Sequence, residues 1–223
     1  MTDAAGVRTM TYDENTLHLV SEAIAGTGGL INRTITRDYS AADDSVVRRR
    51  PIGLQVDTDE YVTTWDYDDY GRLYWVQGPG LPAYGALYAY QANSNLVAVT
   101  GFLSDAQTTV GTVTRTIEDH RDVVTDVENY WGSTPTLVSQ YHYASDALGR
   151  RTSVVNTGTA FNPNRFTLWT YDDRNELTAS RRYNGTNIND PRNPVTTQQF
   201  IFDDDAIGNR QSYRGDGIEG AVS

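Results

Sequence analysis

The sequence predicts an all-β protein built from antiparallel β-hairpin repeats. Three observations predict it: apolar residues alternate with a period of two, aromatic residues are abundant, and one short phrase returns at near-constant spacing. The 223 residues include 15 Tyr, 4 Trp and 5 Phe against 2 Met, with 19 Gly to supply turns. Aromatic and β-branched side chains suit a pleated, half-buried surface. A helical solenoid would need apolar residues recurring about every 3.6 positions, and they do not.

The phrase is clearest in "TTWDYDDYGRLYWV", and it returns as "YHYASDALGRR", "LWTYDDRNEL" and "FIFDDDAIGNR". In each, two aromatics one residue apart precede an acidic turn, and a polar residue then opens a second run. The aromatic pairs are Trp65/Tyr67, Tyr88/Tyr90, Tyr141/Tyr143, Trp169/Tyr171 and Phe200/Phe202. Weaker versions stand at Met10/Tyr12, Arg37/Tyr39 and Arg115/Ile117. The second members follow one another at steps of 27, 28, 23, 27, 26, 28 and 31 residues. Self-similarity of this kind marks a repeat architecture. An ordinary antiparallel sandwich would share the alternation without the spacing.

Each repeat reads as strand, turn and return strand. Residues two apart on a strand point to one face, so each aromatic pair is expected to form a single patch. The turns are Asp68-Asp69-Tyr70-Gly71, Asp146-Ala147-Leu148-Gly149 and Asp205-Ala206-Ile207-Gly208. The first Asp can accept a backbone N–H two residues on, and the Gly can take the positive φ of a bulged hairpin. Arg72, Arg150 or Asn209 then opens the return strand. In the fourth copy, Asp172 opens the turn and Asn175 replaces the Gly, a substitution the left-handed region tolerates. The D-x-x-G pattern alone is weak; its conjunction with the aromatic pair, the following Arg or Asn and the spacing is specific.

The organisation expected is a degenerate stretch over 1–60 and a clear repeat array over 61–223. "NGTNINDPRNPVTT", residues 184–197, is expected to be a long exposed loop, and such insertions are where ligands are sought.

Composition bounds the function. Net charge is −11, with no basic footprint for nucleic acid. The one basic run, Arg48-Arg49-Arg50, adjoins Asp43-Asp44 and reads as a solvated strand edge. No cysteine is present, which excludes disulfides, thiolate metal sites and a cysteine nucleophile. No apolar run approaches the roughly 20 residues of a membrane span, and "MTDAAGVRTMTYDE" lacks signal-peptide regions. The end of the sequence suggests a segment of a longer chain.

Catalytic and metal readings are weaker than the turn reading. Strand alternation splits Asp203, Asp204 and Asp205 between faces, as it does Asp66, Asp68 and Asp69, so neither set converges like a glycosidase pair. "DDDAIG" departs from EF-hand spacing. His18, His120 and His142 lack zinc-type spacing, and no phosphate loop occurs. His142 should face away from Tyr141 and Tyr143. Arg214-Gly215-Asp216 reads as a coincidence of turn residues. The expectation is no catalytic, cofactor or metal residue. Trp131, in "NYWGSTP", lies outside the repeat pattern and is the candidate ligand contact.

The phrase resembles the YD repeat of RHS-repeat proteins, in which Tyr-Asp is followed by Gly-Arg. "YDDYGRL" at 67–73 matches the whole motif, "DALGRR" and "DAIGNR" its second half, and "YDDRNEL" its opening. In bacterial RHS toxins, in the B and C components of insecticidal toxin complexes and in teneurins, such repeats wind into a β-sheet spiral that encloses a hollow shell. The resemblance therefore implies a spiral segment that encloses or displays a C-terminal toxin-like domain, in a secreted or cell-surface bacterial protein. It implies pairing through sheet edges with the rest of the same polypeptide or with neighbouring repeat chains. The alternative is an adhesion module binding glycan or protein through exposed aromatics. About sixteen strands would also be too many for a flat open sheet, so curling is expected. The toxin-type shells carry a self-cleaving aspartyl site built on two proline-containing D-P-x-G motifs about twenty residues apart. The turns at Asp146 and Asp205 lack the proline and stand 59 residues apart, so the resemblance does not carry that site over.

Overall fold

The structure is a computed structural model describing residues 2–3, 6–26, 32–40, 50–57, 61–78, 85–104, 108–118, 121–215 and 218–221. Every regular element among them is a β-strand, and no helix occurs. The chain divides into two compact units. The first comprises Met1–Ala89 with Thr100–Thr109, and the second Tyr90–Val99 with Val110–Ser223.

The first unit runs through β1 (Thr2–Asp3), β2 (Gly6–Tyr12), β3 (Leu19–Gly26), β4 (Asn32–Tyr39), β5 (Pro51–Val56), β6 (Tyr61–Tyr67), β7 (Leu73–Gln77) and all of β8 (Gly85–Tyr90) but its last residue. Strand β9 (Val97–Leu103) contributes residues to both units. The second unit continues with β10 (Thr109–Glu118), β11 (Val123–Trp131), β12 (Thr136–Ser145), β13 (Arg151–Thr157) and β14 (Arg165–Tyr171). It ends with β15 (Leu177–Asn184), β16 (Pro194–Asp204), β17 (Arg210–Gly215) and β18 (Ile218–Ala221). From β1 to β8 and from β10 to β18, each strand pairs antiparallel with the next in sequence. Short turns allow nothing else, because parallel neighbours need a crossover of a dozen or more residues.

Few side chains are fully buried. In the second unit these include Phe166, at 1% exposure, with Val154, Ala179 and Tyr183; in the first, Ala86. Most strand residues are half-buried. That is the burial of one sheet layer, not of two layers sandwiching a core.

The even-numbered strands β2 to β16 carry the aromatic positions toward the turns. A bulge interrupts the register just before the turn, between Thr11/Tyr12, Asp38/Tyr39, Asp66/Tyr67, Ala144/Ser145, Thr170/Tyr171 and Asp203/Asp204. This corrects the repeat frame in two hairpins. Tyr12, Tyr39, Tyr67 and Tyr171 occupy the slot directly before the turn, but Ser145 and Asp204 occupy it where Tyr143 and Phe202 were expected. Tyr143 and Phe202 are instead the counterparts of Trp65 and Trp169. Alternation of aromatics cannot locate the extra residue of a bulge. The cross-strand partner distinguishes the two kinds: tyrosine slots pair with Leu19, Pro51, Leu73 and Leu177, whereas Ser145 and Asp204 pair with Arg151 and Arg210.

Candidate functional site: the braced turn and the seam between hairpins

Four turns share one geometry. The N–H of Asp68, Asp146, Asp172 or Asp205 donates to the carbonyl four residues on, at 2.8–3.0 Å. The carbonyl of the same Asp accepts from Gly71, Gly149, Asn175 or Gly208, at 2.7–3.1 Å. Those four residues have φ of 75°, 81°, 69° and 90°. The Asp side chain completes the turn. Its Oδ1 accepts from the backbone N–H two and four residues on: Tyr70 and Arg72, Leu148 and Arg150, Arg174 and Glu176, Ile207 and Asn209. Its Oδ2 is free to take the side chain that opens the return strand. Arg72 Nε and Arg150 Nε donate to it at 2.7 Å, and Asn209 Nδ2 at 3.2 Å.

All four carboxyls are held below the ordinary carboxylate range. At Asp68 and Asp146 burial pushes upward, and the bonds from Arg72 and Arg150 overcome it. At Asp172 and Asp205 the leading cause is the backbone N–H of Glu176 or Asn209. These four carboxyls accept backbone N–H groups of their own turns and are held ionised, which suits bracing.

A second set of contacts crosses from one hairpin to the next. Tyr39, Tyr67 and Tyr171 donate their hydroxyls to the carbonyls of Leu19, Pro51 and Arg151, at 3.0, 2.9 and 2.8 Å. Each acceptor is the first return-strand residue of the preceding hairpin. The residue just before it covers the same ring. His18 stacks on Tyr39 at 4.6 Å, Arg50 lies 5.4 Å from the Tyr67 centroid, and Arg150 lies 4.7 Å from that of Tyr171. A cation over a tyrosine face is attracted by the ring quadrupole. Arg150 Nη1 also reaches Asn175 Oδ1 at 2.7 Å. Arg50 covers Gly71 so closely that a Cβ there would stand 1.9 Å from its Nη2. Gly71 is demanded by its φ; the guanidinium above it is the end of a flexible side chain. Arg121 and Arg174 make a further link, donating to the carbonyls of Asp146 and Asp205 at 2.6 and 2.9 Å.

The aromatic pairs behave in two ways. Tyr141/Tyr143 and Phe200/Phe202 stack along one strand face, with centroids 6.5 and 6.3 Å apart. Arg151 covers Tyr143 and Arg210 covers Phe202, each at 4.0 Å. Trp65/Tyr67 and Trp169/Tyr171 straddle a bulge, and their tyrosines serve the seam instead. Among the described residues, hairpin is tied to hairpin by cation-on-ring contacts and hydroxyl bonds. Tyr88 and Tyr90 end β8, where Gln91 stands in the Asp place and the turn is one residue longer. Asp13 does brace its turn, through the N–H groups of Asn15 and Thr16, despite the degenerate sequence around it.

Of the seam, an arginine after the turn lying over a neighbouring ring or meeting the acidic turn is expected from the residues; the hydroxyl bond to the preceding hairpin is not. Its signal was present: a cation-type residue closing one turn is followed 17 to 21 positions later by the tyrosine before the next (His18/Tyr39, Arg50/Tyr67, Arg150/Tyr171). Trp131 is 54% exposed at the end of β11, with one ring edge lying over its cross-strand partner Gly111. His142 turns away from the tyrosines and donates Nδ1–H to Asp126 at 2.7 Å. The connection after β15 is shorter than expected, because Pro194–Thr197 already belong to β16. With Phe166 beneath it, the loop borders a hollow of about 410 Å³ lined by Asn184, Asn187, Asp190 and Arg192. Arg48, Arg49, Asp43, Asp44, His120 and Asp216 lie outside the described residues. Among the described residues no acidic or histidine cluster has metal-binding spacing, and no helix is long and apolar enough to cross a membrane.

No family model matches the chain, and no curated protein does. Among solved structures, the crystal structure of TcdB2-TccC3-TEV is similar at 12% identity and a TM-score of 0.46; 96% of this chain is covered, and 12% of that one. The crystal structure of TcdB2-TccC3-Cdc42 is similar at 14% identity and a TM-score of 0.23, covering 94% of this chain and 14% of that one. This chain therefore spans a small part of either. The resemblance to YD-repeat chains is carried by the motif itself: the Tyr-Asp, Gly and Arg positions each hold a defined place in a braced turn or a seam. The recurring site is a structural one.

Proposed function

We propose that this chain is a non-enzymatic segment of a hollow β-shell, wound as a spiral, that encloses or displays a C-terminal toxin-like domain. The whole protein would be large, and secreted by or anchored on a bacterium. One observation carries the reading: polar chemistry that could serve a reaction is spent on locking each turn and tying it to the next hairpin. Asp68, Asp146, Asp172 and Asp205 each accept two backbone N–H groups of their own turns. A wall built this way resists local opening, because releasing one turn also breaks the seam beside it. Its remaining partners would be the rest of the same polypeptide, or neighbouring repeat chains, joined through sheet edges.

Limited proteolysis of the full-length gene product tests containment. A resistant repeat region with a protected C-terminal passenger is the expected result. Cleavage of the passenger at the rate of the free passenger would argue against it.

A second reading, adhesion to glycan or protein, is favoured by exposed rings: Trp131 at 54% and Tyr70 at 83%. Its test is a glycan array with Trp131→Ala. Binding lost in that variant, with Tm unchanged, would support adhesion; unchanged binding would remove Trp131 from it.

A further inference from the structure

All 18 basic residues of this chain are arginines, set against 29 acids. Most of the described arginines with buried contacts close on a carboxylate: Arg8 and Arg37 on Glu22, Arg72 on Asp68, Arg150 on Asp146, Arg210 on Asp204. Arg165 and Arg182 differ. Both are half-buried, and neither has an acidic partner among the described residues. The Nε–H of each is shielded from solvent and bonded to nothing. Arg182 Nη1 donates to Gln198 Oε1 at a long 3.4 Å. A buried donor of a charged group is costly to leave unmade.

The register places the two together. Arg165 pairs with Asn184 and Thr167 with Arg182, so the two arginines are diagonal neighbours on one face of β14 and β15. Across β13, Arg165 faces the buried Asn156, which in turn faces Tyr141. Burial draws the Arg182 pKa down, and the charge of Arg165 draws it down further, with Tyr141 opposing. Two like charges held side by side in partial burial, in a chain rich in acids, present a site whose countercharge comes from outside these strands.

We propose that Arg165 and Arg182, flanked by Asn156 and Asn184, form a binding site for one oxyanion, a carboxylate, sulfate or phosphate group bridged by the two guanidinium forks. Guanidinium matches such groups in plane, with paired donors, and the two amides supply N–H donors at the margin. The oxyanion has two sources, a free inorganic ion or an acidic side chain of a polypeptide lying on this face. The site stands whether or not the chain encloses a passenger.

Isothermal titration of the whole chain tests it, using sodium sulfate at constant ionic strength in chloride and, separately, a glutamate-rich peptide beside its glutamine counterpart. Saturable binding is expected, weakened at least tenfold by Arg165→Gln and by Arg182→Gln. It should be unchanged by Arg181→Gln, whose side chain is exposed and one register step away. Arg182→Lys keeps a charge and a long stem while losing the fork, and should bind at an intermediate level if the glutamine variants do not fold. Sulfate binding alone identifies a free ion; binding of the glutamate peptide at least tenfold tighter than the glutamine one identifies a side-chain carboxylate. Failure of the unaltered chain to bind either, or equal binding by the Gln or Lys variants, overturns the proposal.

Discussion

Hairpin β14–β15 has two seams, and they are built oppositely. On the β13 side, Arg150 lies over Tyr171, the Tyr171 hydroxyl bonds the Arg151 carbonyl, and Arg150 reaches Asn175. On the β16 side, Glu176 occupies the place of Arg150 and Asp204 that of Tyr171. Two acids now meet, and burial with the charges of Asp172 and Asp204 pushes the Glu176 carboxyl above its usual range, Arg174 opposing. The cation has moved. Arg174 pairs with Glu176 at 2.6 Å without hydrogen-bond alignment and donates to the Asp205 carbonyl, while Arg210 approaches Asp204 at 3.4 Å. The comparison teaches that the slots are coupled: an arginine after one turn goes with a tyrosine before the next. On the β16 side both partners are acids, and a guanidinium arrives from a neighbouring position.

Substitutions should break the two seams to different degrees. Phe166→Ala should have the largest effect, about 3–5 kcal/mol, because it empties the buried stack with Tyr183 at 5.1 Å that joins β14 to β15 at the end away from the turn. Urea unfolding should show that loss. Arg150→Ala should cost about 1–2 kcal/mol, through the ring contact, the bond to Asn175 and the tie to Asp146. Hydrogen exchange should quicken at β13 and β14 ahead of β16. Tyr171→Phe should cost about 0.5–1.5 kcal/mol by deleting one hydroxyl bond. Its effect combined with Arg150→Ala should be less than additive by about 0.5 kcal/mol or more, since the guanidinium over the ring holds the hydroxyl to its acceptor. Strict additivity would dissolve the coupling.

The smallest effect separates the seams by pH. The Glu176 carboxyl is raised in the folded chain above its ordinary 4.5, so the folded state binds its proton more tightly and loses stability as pH rises through that range. Glu176→Gln removes that dependence, so unaltered protein should weaken relative to the variant as pH rises above about 4.5. Asp146 has the opposite sign. Its carboxyl is lowered from 3.8, so its contribution is present above that value and lost as pH falls below it. The deficit of Asp146→Asn should therefore vanish in acid, which urea midpoints across pH would record.

Much of the turn was legible in residues alone. Asp68, Gly71 and Arg72 carry their chemistry locally, within five residues, and Asn175 at φ 69° confirms the slot by substitution. Asp13 was harder to read, since its turn is longer and lacks the glycine. The frame at Tyr143 and Phe202 was not legible, because a bulge adds a residue without leaving a composition signal. Nor was the hydroxyl bond of the seam, which joins residues about twenty apart in sequence, although an arginine over a neighbouring ring was.

Period-two alternation, turn chemistry and spacing determined by themselves that this chain is a meander of hairpins with braced turns, because each depends on interactions within a few residues. Only the tertiary structure decided which hairpin side chains meet: the placement of Arg150 on Tyr171, of Glu176 beside Asp204, and of Arg165 next to Arg182. Those contacts depend on strand register, and register is a property of two strands together.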